Sequence, residues 1–219
     1  MNPKIVMINA SPRIEKNSNT DKIIEAFGQG LLQGGCSFTK YAISNRDAWE
    51  EIRQAYMDST NIIFAVPLYV ECVPSLFLEF LEQLPAKDKN TKVSFILQSG
   101  FTEAHQLRCG EAFLQKLAGC LGVSYGGTLI RGGCFEIRTE TAANRNKITA
   151  PFIEMGRQFA EKGDFFAASV KKFAGAEQLP LPVRFMVNLM FKTYLKRKFQ
   201  GVARKWGCDI PLDRKVFDD

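Results

Sequence analysis

Hydroxyls, amides and one guanidinium crowd into a short span near the start of this chain: Ser11, Arg13, Ser18, Asn19 and Thr20. Just before them, Lys4–Asn9 is a nearly continuous apolar run, the pattern of a strand buried on both faces, and Pro12 stops it. Just after them, Ile23, Ile24, Phe27, Leu31 and Leu32 recur at helical spacing, with Ser18, Asn19 and Thr20 as capping residues. The loop therefore carries its polar groups to the amino end of a helix at the carboxyl edge of a sheet. Such a place suits a phosphate, because first-turn N–H groups lack intrahelical partners and the helix dipole is positive there. The loop contains no glycine, so neither Gly-x-Gly-x-x-Gly nor Gly-x-x-x-x-Gly-Lys-[Ser/Thr] can be written over it. Dinucleotide wrapping and triphosphate cradling lose weight, and a terminal monophosphate gains it. The plainer alternative is a polar loop that only caps its own helix.

Two further stretches have chemistry to offer. Pro67-Leu68-Tyr69-Val70-Glu71-Cys72-Val73-Pro74 sets an aromatic between two prolines, a rigid platform for a flat heteroaromatic ring, with Tyr69 as the contact. Taken alone, Tyr69 equally well covers a sheet edge. Gln98-Ser99-Gly100-Phe101-Thr102 supplies a glycine for close backbone approach and a threonine cap.

Strands and helices alternate so as to place these loops together. After the first helix, residues 38–43 read as a strand and 46–57 as a helix with Trp49, Ile52, Tyr56 and Met57 inward. Residues 61–66 read as a buried strand stopped by Pro67, and Pro74 opens a helix with Leu76, Phe77, Phe80, Leu81 and Leu84 as its stripe. Residues 92–98, 103–121 and 123–130 then read as strand, helix and strand. Five such alternations predict an α/β fold, a five-stranded parallel sheet with helices on both faces, whose ligands bind where the strand order reverses. The three loops share that rim.

In order and spacing over roughly residues 1–135, Ser11-Pro12-Arg13 with Ser18-Asn19-Thr20, Pro67-Leu68-Tyr69 with Pro74, and Gln98-Ser99-Gly100-Phe101 resemble the flavodoxin-like FMN-dependent NAD(P)H oxidoreductases. The resemblance implies a flavodoxin-like fold and FMN, with NADH or NADPH as co-substrate. It assigns Ser11, Arg13, Ser18, Asn19 and Thr20 to the FMN phosphate. Pro67, Leu68, Tyr69 and Val70 would flank the isoalloxazine, and Ser99, Gly100 and Phe101 would meet its pyrimidine edge or ribityl side. Many members carry Gly or Ser after the tyrosine, where this chain has Val70, Glu71 and Cys72, which is expected to narrow the pocket. It further implies hydride transfer to a small acceptor such as a quinone, free flavin or nitro compound. A homodimer is expected, with residues 132–146 reaching across to a second subunit.

Of the 219 residues, 46% are hydrophobic and 24% charged, ordinary globular composition with length for one full core. The chain reads as cytoplasmic, lacking a leader pattern or a membrane-length apolar run. Six cysteines make no Cys-x-x-Cys pair, and His105 is the one histidine, so no metal is expected and the thiols read as reduced and mostly buried. Cys72 reads as a small filler with redox chemistry as the alternative, and Cys109 and Cys120 as core. His105 reads as a helix-surface or capping residue.

The formal charge of +6 sits mainly in residues 178–219, with nine Lys/Arg against four Asp/Glu. The near-neutral remainder gives no nucleic-acid face. We therefore divide the chain into a flavin domain, residues 1–177, and a basic amphipathic helical extension, residues 178–219. In the extension Val187, Phe191, Leu195, Phe199, Val202 and Trp206 share a face, which packs on the protein or lies on an anionic membrane. Packing is the preferred expectation, and with it a loss of stability when the extension is deleted. Two other functional classes stand beside the reductase, a one-electron carrier and a flavin-binding regulator. The pI near 9.0 argues against the carrier, a class that is typically acidic.

Overall fold

The computed structural model describes residues 4–205, 207–211 and 214, which fall into two compact units, Met1–Glu177 and Gln178–Asp219. In the first unit five strands, β1 (Lys4–Asn9), β2 (Ser37–Ala42), β3 (Asn61–Leu68), β4 (Lys92–Ser99) and β5 (Ser124–Arg131), form one parallel sheet in the order β2-β1-β3-β4-β5. This is the flavodoxin-like order, with its switch point between β1 and β3.

Alternation along each strand feeds two cores. Val6, Ile8, Ile62, Phe64, Val66, Val93, Phe95 and Leu97 point to one face, where α2 (Trp49–Asp58), α3 (Ser75–Leu81) and α4 (Arg108–Cys120) cover them. Ile5, Met7, Ile63, Ala65 and Ile96 point to the other, beneath α1 (Asn19–Gln33), α5 (Ala142–Lys162) and α6 (Ala168–Phe173). A strand buried on both sides must be apolar throughout, which is why these runs show no polar alternation.

Pro67 does not stop its strand, which pairs onward through Pro67↔Gln98 and Leu68↔Ser99. Ala65 turns its carbonyl toward the β1 side, where Ala10 donates to it at 2.8 Å. Pro67, two residues on, turns its nitrogen the same way, beyond the end of β1, so its missing N–H leaves no ladder bond unmade on the β4 side. Leu32 and Met57, read as inward, are 59% and 41% exposed, because each lies one step past the buried stripe of its helix.

Helix α6 and the longer α5 are both absent from the elements expected from the sequence, α5 for a local reason. Pro151 inside it and the polar stretch before it hide its period, yet Phe152, Met155 and Phe159 are buried and Thr141 caps its start. It crosses α1 on glycines: a Cβ on Gly30 would lie 1.9 Å from the Ile153 carbonyl oxygen, and one on Gly156 2.1 Å from that of Phe27. Close backbone approach lets α1 and α5 share one layer over the sheet.

The second unit is helical. Leu181–Met190 (α7), a π turn at Phe191–Leu195 and Lys196–Lys205 (α8) follow one another without a break. Val187, Phe191, Leu195, Phe199 and Val202 are none of them buried; Trp206 of the same expected stripe lies outside the described residues.

Candidate functional site

The carboxyl ends of β1, β3 and β4 converge on a cavity of about 190 Å³ lined by Ser11, Arg13, Asn19, Thr20, Leu68, Tyr69, Gln98, Ser99, Gly100, Phe135 and Arg138. Eight of the sequence-assigned residues meet there. Four do not line it. Ser18 is fully buried and its hydroxyl accepts from the Asp21 amide as the cap of α1. Pro67 is enclosed in β3, Val70 is 74% exposed and Phe101 48% exposed.

Loop order around the cavity is built from short side-chain bonds. Asn9, buried at the end of β1, accepts from the Ser11 amide, and the Ser11 hydroxyl accepts from the Arg13 amide. Gln98 donates to the Thr20 hydroxyl at 3.2 Å, joining the β4 end to the first turn of α1. Ser99 accepts from the Phe101 amide, which tightens the turn that leads out of β4.

Asn19 does a different job from the one its type implies. Its side-chain amide donates to the carbonyls of Cys134 and Phe135 at 2.7 and 2.9 Å, and its oxygen accepts from the Arg138 amide. Together with Cys134 N–H on the Ser99 carbonyl, these bonds fold residues 134–138 back over the site of the same chain. The segment expected to reach another subunit thus supplies Phe135 and Arg138 as a fourth wall. No pattern in its own residues announces this; the signal lies in Asn19 of a different loop.

Electrostatically the cavity is one-sided. Two arginines and the amino end of α1 face it, and no carboxylate lines it. The one acid in the first turn of α1, Asp21, is buried and paired with Lys40 at 2.8 Å. Partial burial alone would lower the Lys40 ammonium, but its hydrogen bond to Asp21 and its pairing with Asp21 and Glu15 outweigh this and hold it above its ordinary value. Asp21 is therefore neutralised from below. Asn9 keeps a buried amide NH₂ without a partner under the same loop. A hydroxyl- and amide-lined cationic concavity of this kind fits a phosphomonoester.

The platform after β3 is a two-residue hairpin. Tyr69 and Cys72 exchange backbone bonds at 2.8 and 3.1 Å, and Val70 and Glu71 sit at φ of +46° and +69°. Positive φ at both central residues is a type I′ turn, which favours Asn and Gly, so a β-branched valine here is strained. Glycine after the tyrosine would relieve it. Val70 does not narrow the cavity as expected, because the turn directs it to solvent.

The cysteine expectations need correction. Cys72, Cys109 and Cys120 are exposed. On α4 the inward face is Gly110, Leu114 and Ala118, four apart, and the cysteines fall off it. Cys134 is the buried thiol beside the site, and burial pushes it up to about 12. His105 is exposed and donates through Nδ1 to the Glu177 carbonyl, tying the start of the α4 region to the segment after α6.

A larger groove of about 710 Å³ runs along β5 and α4, but its Arg108 is already paired with Glu111 and Glu177. The cavity at the strand ends holds two arginines, Arg13 and Arg138, and no carboxylate in its lining.

Residues 3–132 match the family model described as NADPH-dependent FMN reductase, and the chain belongs to that family. It is accordingly an FMN-dependent oxidoreductase that draws on NAD(P)H. Among solved structures it resembles an NAD(P)H:quinone oxidoreductase from Methanothermobacter marburgensis, at 14% identity and TM-score 0.56, over 75% of this chain and all of that one. It also resembles an NADH:FMN oxidoreductase, at 15% identity and TM-score 0.57, over 79% of this chain and 96% of the other. A third likeness is an FMN-dependent NADH-azoreductase from Bacillus anthracis in complex with FMN, at 12% identity and TM-score 0.54, over 75% and 100%. At these identities the likeness is one of fold. Comparison with curated proteins finds no match.

Proposed function

We propose that the chain holds one FMN at this cavity and passes reducing equivalents from NADH or NADPH to a small acceptor such as a quinone, free flavin or nitro compound, acting in the cytoplasm. The observation that carries the site is its one-sided charge: Arg13, Arg138 and the first turn of α1 around buried hydroxyls, with no carboxylate in the lining. Arg13, Arg138, Ser11, Thr20 and the α1 amides would hold the phosphate. Leu68, Tyr69, Ser99 and Gly100 would flank the ring. When bound, FMN supplies hydride acceptance and one- or two-electron release.

The chain's own residues bind, orient and exclude. Ligand pockets that enclose a whole drug-sized molecule measure about 300–1,000 Å³. At about 190 Å³ this one suits the phosphate-bearing end, leaving the ring at the mouth beside Tyr69. Backbone amides around Ser99–Gly100 can favour a reduced, more negative ring without a titrating side chain, consistent with the single histidine, His105, lying outside the cavity lining. The rim residues Tyr69, Phe101 and Phe135 are 43%, 48% and 70% exposed, apolar surface that a second copy would cover in a homodimer.

The purified protein should be yellow, and added FMN should raise its melting temperature. Arg13→Ala and Arg138→Ala should each weaken FMN by about ten- to a hundredfold, from the ~1.5–3 kcal/mol of a charge-assisted bond. Riboflavin, which lacks the phosphate, should lose far less; equal losses for both would remove the arginines from the phosphate site. NADH and NADPH oxidation with a quinone or nitro acceptor distinguishes a reductase from a flavin carrier.

A further inference from the structure

Residues 181–205 contain seven lysines and arginines and no aspartate or glutamate. They form α7, the π turn and α8 in one helical run. Along it Leu181, Phe185, Phe191 and Phe199 are 76%, 72%, 53% and 50% exposed, and Met186, Leu189 and Tyr194 are also more than half exposed. So much contiguous apolar surface marks a binding face rather than ordinary solvent-facing helix.

The two chemistries are segregated. At the helical step, Phe199, Val202 and Ala203 fall on one side of α8, with Arg197, Arg204 and Lys205 opposite and Lys196 and Lys198 at the borders. The π turn admits one extra residue, which brings Phe191 back onto the same stripe. Its ring stacks on Phe199 at 6.4 Å with 6° between planes. In α7 only Arg184 and Asn188 interrupt an apolar surface.

We propose that this helix docks in the plane of an anionic membrane surface, its Phe, Met and Leu side chains at the acyl boundary and its Lys and Arg heads against lipid phosphates. Charge of a single sign matches an anionic sheet. The border residues Lys196 and Lys198 have stems long enough to lie along the apolar boundary while their heads reach the phosphates. Crossing is excluded for this segment, since no helix among the described residues is long and apolar enough. The cytoplasmic leaflet, negative in surface potential, is the matching partner.

The test is flotation of the intact protein with vesicles of phosphatidylcholine alone or with about one third phosphatidylglycerol, at moderate and high salt. Flavin content and melting temperature are read in parallel, so loss of the FMN site and loss of membrane binding are separate results. Binding to the anionic vesicles, weakened at high salt, is expected. Arg197, Lys198 and Lys205→Gln together should weaken it by on the order of a hundredfold. Phe185, Phe191 and Phe199→Ser together should also abolish it, with folding unchanged because all six side chains are exposed. No flotation of the intact protein, or flotation with neutral vesicles that the Gln variant leaves unchanged, would overturn the proposal. So would self-association that the Ser variant abolishes without any vesicle binding, which would assign the stripe to a second copy. Tight binding to RNA without vesicle binding would reassign the basic side.

Discussion

Val70 shows how a single residue can be read correctly as unusual and wrongly in its effect. Its bulk faces solvent, and the cost of placing it there lies in the backbone, at φ +46°, with Glu71 following at +69°. Replacing Val70 by Asn and Glu71 by Gly, the pair suited to a type I′ turn, should stabilise the protein by roughly 1–2 kcal/mol. The urea midpoint should rise with no change in slope. The thiols allow a second residue-level check. In the native protein at pH 8.5, Cys72, Cys109, Cys120 and Cys208 should react with an alkylating reagent while Cys36 and Cys134 stay protected, giving four modified thiols by mass. Burial raises Cys134 from the ordinary 9.0 to about 12, so it favours folding fully below pH 9. That contribution is lost as pH climbs from 9 toward 12, where ionisation is open only to the unfolded chain. Stability measured across that window should fall in the wild type more than in Cys134→Ala, compared with each protein's own value at pH 8.

Helices α1 and α5 meet through glycine rather than through side chains. Gly30→Ala and Gly156→Ala would each drive a methyl into a carbonyl of the facing helix, at separations no real Cβ adopts. Each should lower stability by ~1–3 kcal/mol, as overpacking does, and lower the melting temperature. Gly119 on α4 has nothing within 4 Å of its Cβ position. Gly119→Ala should therefore be neutral or stabilising by up to ~1 kcal/mol, the ordinary helix-propensity gain. Equal losses at all three positions would mean that helix propensity and not the crossing governs them.

Across the molecule, among the described residues, the last member of either apolar core is Ala174. A chain ending at Glu177 should consequently keep its FMN affinity and melt within a few degrees of the full protein. An inward-packed stripe would instead lose stability on truncation. Thermal melts of the two forms, loaded with FMN and stripped of it, test it directly. A large drop on truncation would show that residues 178–219 contribute to the fold of the flavin domain.

The strands, the four helices α1 to α4 that alternate with them, and the three rim loops could all be placed from local pattern, because a parallel strand buried on both faces and an amphipathic helix each write their environment into consecutive residues. The site was half legible for the same reason: Ser11, Arg13, Thr20, Leu68, Tyr69, Ser99 and Gly100 lie on those loops and line the cavity. What pattern could not reach depends on contacts between distant segments. Asn19 looks like a phosphate ligand until residues 134–138 claim its amide, and Phe135 and Arg138 become site residues through that contact alone. Pro67 reads as a strand end until β1 is seen to stop first, leaving no partner for the missing N–H. Helix α5 owes its place to glycines that matter only once α1 lies against them.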